Sequence, residues 1–168
     1  MSLEANKTLV RRYFEEARHR PDVCDEIFAP VVHFHAIQHA ASNPDLVSSP
    51  QNEKAIYAWL HTVWPDWRMT IDEMLAEGDR VMVRWTFHGT QRGEYLGLPP
   101  THKSVSYAGI NIFRIAEGKI GEVWDLSDRL WLWQQLGVLP DTAEFIAQAR
   151  AVLLSQQSSE QTGEADRA

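Results

Sequence analysis

An α+β fold, with helices gathered on one side of a curved antiparallel sheet, is the prediction for these 168 residues. Three observations carry it. Helical apolar spacing comes first along the chain, four long strand-like runs follow, and no strand–helix–strand repeat interleaves them. Such a sheet must curl around the helices to bury one face, and a curled sheet closed by helices encloses a cone-shaped cavity.

The elements follow in order. Over 3–19, Leu3, Leu9, Val10, Tyr13, Phe14 and Ala17 recur at helical spacing, and Pro21 ends the run. Val23, Ile27 and Phe28 predict a short second helix stopped by Pro30, and 31–35 reads as a brief strand. The polar stretch 38–50, with its Ser, Asn and Pro, reads as a long loop, a length at which loops tend to be functional lids. A helix is predicted over 53–64, with Ile56, Leu60 and Val63 on one stripe beside Trp59, broken by Pro65-Asp66-Trp67. Strands are predicted over 68–75, 80–89, 104–115 and 119–126. Gly78-Asp79 and Glu117-Gly118 mark turns, the second a tight hairpin. Residues 130–136 form a short helix that Gly137 ends, Pro140 turns the chain, and 145–154 is a last helix. One domain over 1–154 is expected, with a disordered tail over 155–168, where nearly every residue is small or polar.

Composition narrows the function. The 44% hydrophobic content supplies a core without staples. The 16 Lys and Arg against 23 Asp and Glu give a net charge of -7, which argues against a nucleic-acid or anionic-membrane partner. A small hydrophobic or aromatic ligand fits that balance. The single cysteine, Cys24, excludes an internal disulfide and every Cys-based metal site, and its apolar helical setting reads as an inert buried thiol. Charges stand where a signal peptide needs an apolar run, and no stretch nears about 18 apolar residues. A cytoplasmic protein is therefore expected. There is no dinucleotide fingerprint, P-loop, nucleophile elbow or His-Glu-x-x-His.

The residue singled out is Asp125, at the end of an apolar strand and on the same face as Val123. Such a carboxylate is either hydrogen-bonded and structural, or held in a low-dielectric pocket where its pKa rises toward general acid–base use. Asp128 reads as the cap of the following helix or as part of the chemistry. On 104–115 one face carries Val105, Tyr107, Asn111 and Phe113; on 80–89 one face carries Arg84, Thr86 and His88, the other Val83, Trp85 and Phe87. Arg84 or His88 opposite Asp125 would pair with it; the alternative is a solvent-facing salt bridge. His33 and His35 share a strand face beside His39, as pocket-lining residues, as a weak metal motif, or as ordinary partly buried or surface histidines. Seven Trp make Trp64, Trp67 and Trp85 either ring-stacking walls or core.

The run from Arg84 through Phe87-His88-Gly89-Thr90 to Tyr95-Leu96-Gly97-Leu98-Pro99-Pro100-Thr101 carries a resemblance. With Gly109-Ile110-Asn111-Ile112-Phe113-Arg114, Gly118-Lys119-Ile120, Glu122-Val123-Trp124-Asp125 and Gln135-Leu136-Gly137, it resembles the SnoaL-like polyketide (ester) cyclase family of the NTF2-like superfamily. The resemblance covers roughly 3–140. It implies an NTF2-like (cystatin-like) cone, usually a homodimer, that uses no metal or organic cofactor. Studied members resemble aldol cyclases closing the last ring of anthracycline polyketides, with an aspartate corresponding to Asp125 as general acid–base. The family's histidine that positions the enolised substrate would fall at Asn111, a departure, and His33, His35 or His88 would then take its role. His102 departs too, where the family more often has glycine. The implied catalytic set is Asp125, Asn111, His88 and His33, with His35, Trp64, Trp67, Arg84, Trp85 and Tyr107 binding substrate. The chemistry implied is enolisation and aldol-type ring closure, or a related isomerisation, of a small hydrophobic carbonyl compound. The alternatives are an epoxide hydrolase or lyase in the same cavity, and a non-catalytic binding or assembly domain.

Overall fold

A computed structural model describes residues 2–36 and 46–165, with 155–165 as backbone only. Helices α1 (Leu3–Glu15) and α2 (Val23–Ile27) open the chain, followed by β1 (Phe28–Ala36), β2 (Leu46–Ser48) and α3 (Pro50–Val63). Strands β3 (Arg68–Glu77), β4 (Arg80–Thr90), β5 (Ser104–Ala116) and β6 (Lys119–Ser127) come next, then α4 (Arg129–Leu136) and α5 (Thr142–Ala165). The helices start where short polar side chains can accept orphan backbone N–H groups. Ser2 Oγ takes the Ala5 N–H at 3.2 Å, Ser49 Oγ the Asn52 N–H at 3.3 Å, and Asp128 Oδ1 the Trp131 N–H at 2.9 Å. The Ser49 cap with Pro50 in the first turn starts α3 ahead of the expected 53. Asp128 is thus a cap.

One six-stranded sheet runs in the order β2-β1-β6-β5-β4-β3. All neighbours are antiparallel except β1 and β6, which run parallel, so the sheet is mixed where antiparallel pairing was expected throughout. Two other expectations need correction. The second helix ends at Ile27 because Phe28 already pairs with Ile120; Pro30, with no N–H to give, falls in the irregular stretch before His33 meets Glu122. The loop expected over 38–50 contains β2, which pairs with β1 at Val32–Phe34; its other residues, 38–45, lie outside the described residues. The β5–β6 hairpin is as predicted, with Glu117 and Gly118 both at positive φ (51° and 76°), the two-residue turn that suits strand twist. His102 sits at φ 57°, a conformation that favours glycine, the residue the family more often has there.

The concave face of the sheet buries Val83, Phe87, Val105, Phe113 and Val123 against Val10 and Phe14 of α1 and Tyr57 of α3. Cys24 is fully buried beside them, and burial pushes its thiol up to about 11, so it is inert near neutral pH. The β4–β5 connection is built around Gln91, whose amide donates to the Gly93, Leu98 and Pro99 carbonyls and accepts from Thr101. This core holds Tyr95 against α3 and α4. On the convex face Ile110 and Leu126 stay exposed. The backbone of α5 continues beyond 154, where the sequence places the end of the domain. No helix among the described residues is long and apolar enough to cross a membrane.

Candidate functional site

Between the concave sheet face and helices α1, α3 and α4 lies a cavity of about 290 Å³. Its walls are aromatic: Tyr13, Phe34, Trp59, Trp64, Trp85 and Tyr107. Its polar groups are few. Asp125 and Asn111 stand on the sheet, Arg129 at the start of α4, and Glu53 on α3.

Strand register places Asp125 directly beside Asn111 and Trp85 directly beside Gly109. Gly109 is what lets Trp85 lie across β5, because a Cβ there would stand 2.3 Å from the indole ring. The indole N–H thereby reaches Asn111 Oδ1. Indole can only donate, so the Asn111 oxygen must face Trp85 and its NH2 must face the other way. That NH2 donates to Asp125 Oδ2 at 3.2 Å. The second carboxylate oxygen receives no hydrogen bond from a described residue and faces the cavity. Burial raises the Asp125 pKa above the ordinary aspartate value, opposed by the charge of Arg129 and the bond from Asn111.

Asn111 thus links Trp85 to Asp125: its oxygen accepts from the indole, and its amide holds the carboxylate. Trp85→Phe keeps a flat ring but removes the donor that fixes the Asn111 amide. We expect kcat to fall about tenfold, the size of one lost hydrogen bond. Without Asn111 as steady donor the Asp125 pKa rises further, so the acidic limb of the kcat–pH profile should move to higher pH. If stability alone changes, Trp85 only packs.

Arg129 and Tyr95 escaped sequence reasoning, as did Glu53. Arg129 follows the α4 cap, and its guanidinium donates to Tyr95 Oη at 2.8 Å and Ser127 Oγ at 3.1 Å while lying 5.9 Å from the Tyr107 ring centre. Tyr95 stacks on Trp59 and Trp133 and meets Trp64 edge-on. The available signals were a cation four positions after Asp125, one strand end away, and a tyrosine inside the run that carries the family resemblance. Burial raises the Tyr107 hydroxyl pKa, so it stays a neutral donor.

The structure gathers Asp125, Asn111, Trp64, Trp85 and Tyr107 around the cavity, and it leaves the other expected site residues outside. Arg84 and His88 alternate with the inward Trp85 and Phe87, so they face the convex side. There Arg84 meets Asp72 at 3.3 Å and Glu73 at 3.6 Å, the solvent-facing salt bridge, and His88 lines a shallow polar groove with Asp66 and Arg68. His33 and His35 flank the inward Phe34 and also point outward; His35 stacks on Trp124 at 4.9 Å. Among the described residues no three His, Cys, Asp or Glu side chains gather as a metal site requires, and His39 lies outside them. Trp67 is core, stacked on Tyr57 and Phe87 with 1% of its surface exposed.

Comparison with known proteins agrees with this architecture. The aklanonic acid methyl ester cyclase DnrD of Streptomyces peucetius is 29% identical over 133 residues, 77% of this chain and 88% of that protein. The structure of TsrD from Streptomyces laurentii superposes with a TM-score of 0.72 at 26% identity, over 83% of this chain and 99% of that one. A SnoaL-like polyketide cyclase structure from Jannaschia Sp. CCS1 gives 0.69 at 26% identity, over 82% and 94%. The family model described as SnoaL-like polyketide cyclase matches residues 7–136, so this chain, with its curved sheet and its aspartate at the end of the last strand, belongs to that family.

Proposed function

We propose that this protein is a cyclase that enolises a small hydrophobic carbonyl compound with Asp125 and closes a ring by aldol-type addition. The observation that carries the reading is the Asp125 carboxylate, held through one oxygen by Asn111, with the other turned into an aromatic cavity beside Arg129. A base in such a place works best when its pKa approaches the working pH, and burial moves Asp125 in that direction.

The unoccupied Asp125 oxygen takes a proton from the carbon next to a carbonyl. The electron pair of that C–H bond becomes the enolate, whose charge develops near the Arg129 guanidinium and the Tyr107 hydroxyl. The enolate carbon then adds to a second carbonyl carbon, and the π pair moves onto that oxygen, which is protonated. Aromatic walls keep water from the enolate and hold a flat substrate.

An epoxide-opening reading would pair Asp125 with an arginine; Arg84 faces the convex side in a salt bridge with Asp72 and Glu73, and the arginine in the cavity is Arg129. Burying a carboxylate with an unsatisfied oxygen in an apolar cavity costs stability, a cost that a role as base would account for. The test is to offer the protein aklanonic acid methyl ester, the substrate in the relative's name, and benzoylpropyl methyl ketone, a δ-diketone able to close a six-membered ring. Ring closure gives a product of unchanged mass, or one lighter by a molecule of water. No conversion of either compound, although both bind, would exclude the reading for these classes.

A further inference from the structure

A second carboxyl group in the same cavity has no place in the steps above. Glu53 lies on α3, is 2% exposed, and lines the cavity wall that faces the sheet. Ser48 Oγ donates to its Oε1 at 2.9 Å, and Oε2 has no hydrogen-bond partner among the described residues. No cation offsets it. Its neighbour Lys54 turns away to Asp22 and Asp25, and no described Lys or Arg pairs with Glu53. The titratable groups around it are the buried Tyr13 of α1, Cys24 of α2 and Tyr57 of α3, all neutral near pH 7. Asp125 on β6, Tyr13 and Glu53 all line the same cavity.

Resting on the cyclase reading, we propose that Glu53 is the group that recognises the second carbonyl oxygen of the substrate and protonates it during ring closure. A carboxyl group with one free oxygen, buried among aromatic rings with no cation, is stable there as the neutral acid and donates a hydrogen bond into the cavity. Burial raises its pKa, in the same direction. The positive end of α3 pulls toward ionisation, and the apolar surroundings outweigh it. In the reaction, Asp125 accepts the carbon-bound proton at the first carbonyl. Glu53 gives its proton to the oxygen of the second carbonyl as the carbon–carbon bond forms and the π bond breaks. The cycle ends with Asp125 protonated and Glu53 ionised, and one proton passes from the first to the second through water once product leaves. No oxidant or other reactant is needed.

The test compares benzoylpropyl methyl ketone with 6-phenylhexan-2-one, which has the same number of carbons, keeps the methyl ketone that is enolised and lacks the second, benzoyl carbonyl. Binding is read by quenching of tryptophan fluorescence in the whole protein. The wild type should bind the diketone about tenfold more tightly, the worth of one buried hydrogen bond. Glu53→Leu should erase that preference. Glu53→Gln keeps both the acceptor for Ser48 and a donor into the cavity, so it should keep the preference and lose ring closure. In the wild type the preference should fade as pH rises and Glu53 ionises; in Glu53→Gln it should not vary with pH.

A preference that survives in Glu53→Leu, vanishes in Glu53→Gln, or is flat with pH in the wild type overturns the proposal. Exchange of the 6-phenylhexan-2-one α-hydrogens with solvent deuterium separates this result from the cyclase reading. That exchange needs Asp125 and not Glu53. If it occurs while the diketone preference is absent, the Glu53 proposal alone fails; if it is absent while the preference stands, enolisation by Asp125 fails instead.

Discussion

Asp125→Asn should lower ring closure by about 10³-fold, within the range expected for removal of a general base. At neutral pH the same substitution should raise the unfolding midpoint. Both effects come from one cause. Burial raises the Asp125 pKa in the folded protein above its unfolded value, so folding favours the protonated form. The resulting stabilisation is complete below the unfolded-state pKa and is lost as pH rises through the folded-state pKa. Near neutral pH the wild type therefore carries the cost of a buried carboxylate, and asparagine does not. Asn111 can still donate to the new amide oxygen, so the site geometry survives. Urea unfolding at neutral pH and again near pH 3, where the two proteins should converge, checks the stability half; a turnover assay checks the other. A variant that is inactive but less stable at neutral pH would make Asp125 a structural residue.

Gly93→Ala should destabilise the fold by about 3 kcal/mol, at the upper end of overpacking costs. A Cβ at this position would stand 2.2 Å from the Thr62 carbonyl oxygen and 2.9 Å from its carbon. These are backbone atoms at the end of α3, and no side-chain rotation moves them. The contact is close because Arg92 and Gly93 both donate their N–H groups to the Val63 carbonyl, at 2.8 and 3.0 Å. They tie the Gln91-centred loop to the helix. Since that loop carries Tyr95, which holds Arg129, the substitution should also weaken ligand binding in the fraction that folds. Equilibrium urea unfolding reads the first effect. A change below about 0.5 kcal/mol, the size of an ordinary surface substitution, would show that the loop is not anchored there.

How much of this could be read from the sequence depended on whether one strand or several set the feature. Asp125 was legible because a carboxylate among Val123, Trp124 and Ile120 conflicts with its local pattern, and local conflicts tend to mark function. Tyr107, Asn111 and Trp85 were legible through period-2 alternation. Alternation sorts residues into two faces without saying which is concave, which is why Arg84 and His88 stayed candidates until Trp85 and Phe87 were seen to line the cavity. His33 and His35 failed for the same reason, since Phe34 between them takes the inward position. Arg129 could not be found locally. Its role depends on Tyr95, 34 positions away, and on Tyr107, contacts that only the folded chain creates. Glu53 was hidden in an amphipathic helix, where a glutamate ordinarily faces water.

The most direct measurement is the exchange of the 6-phenylhexan-2-one α-hydrogens in deuterium oxide, followed by mass spectrometry with and without the protein. It isolates the first chemical step from ring closure and from recognition of a second carbonyl. Asp125 acting as base predicts catalysed exchange that rises with pH through the raised Asp125 pKa and disappears in Asp125→Asn. Exchange no faster than in protein-free buffer, while tryptophan quenching shows the ketone bound, would contradict enolisation in this cavity.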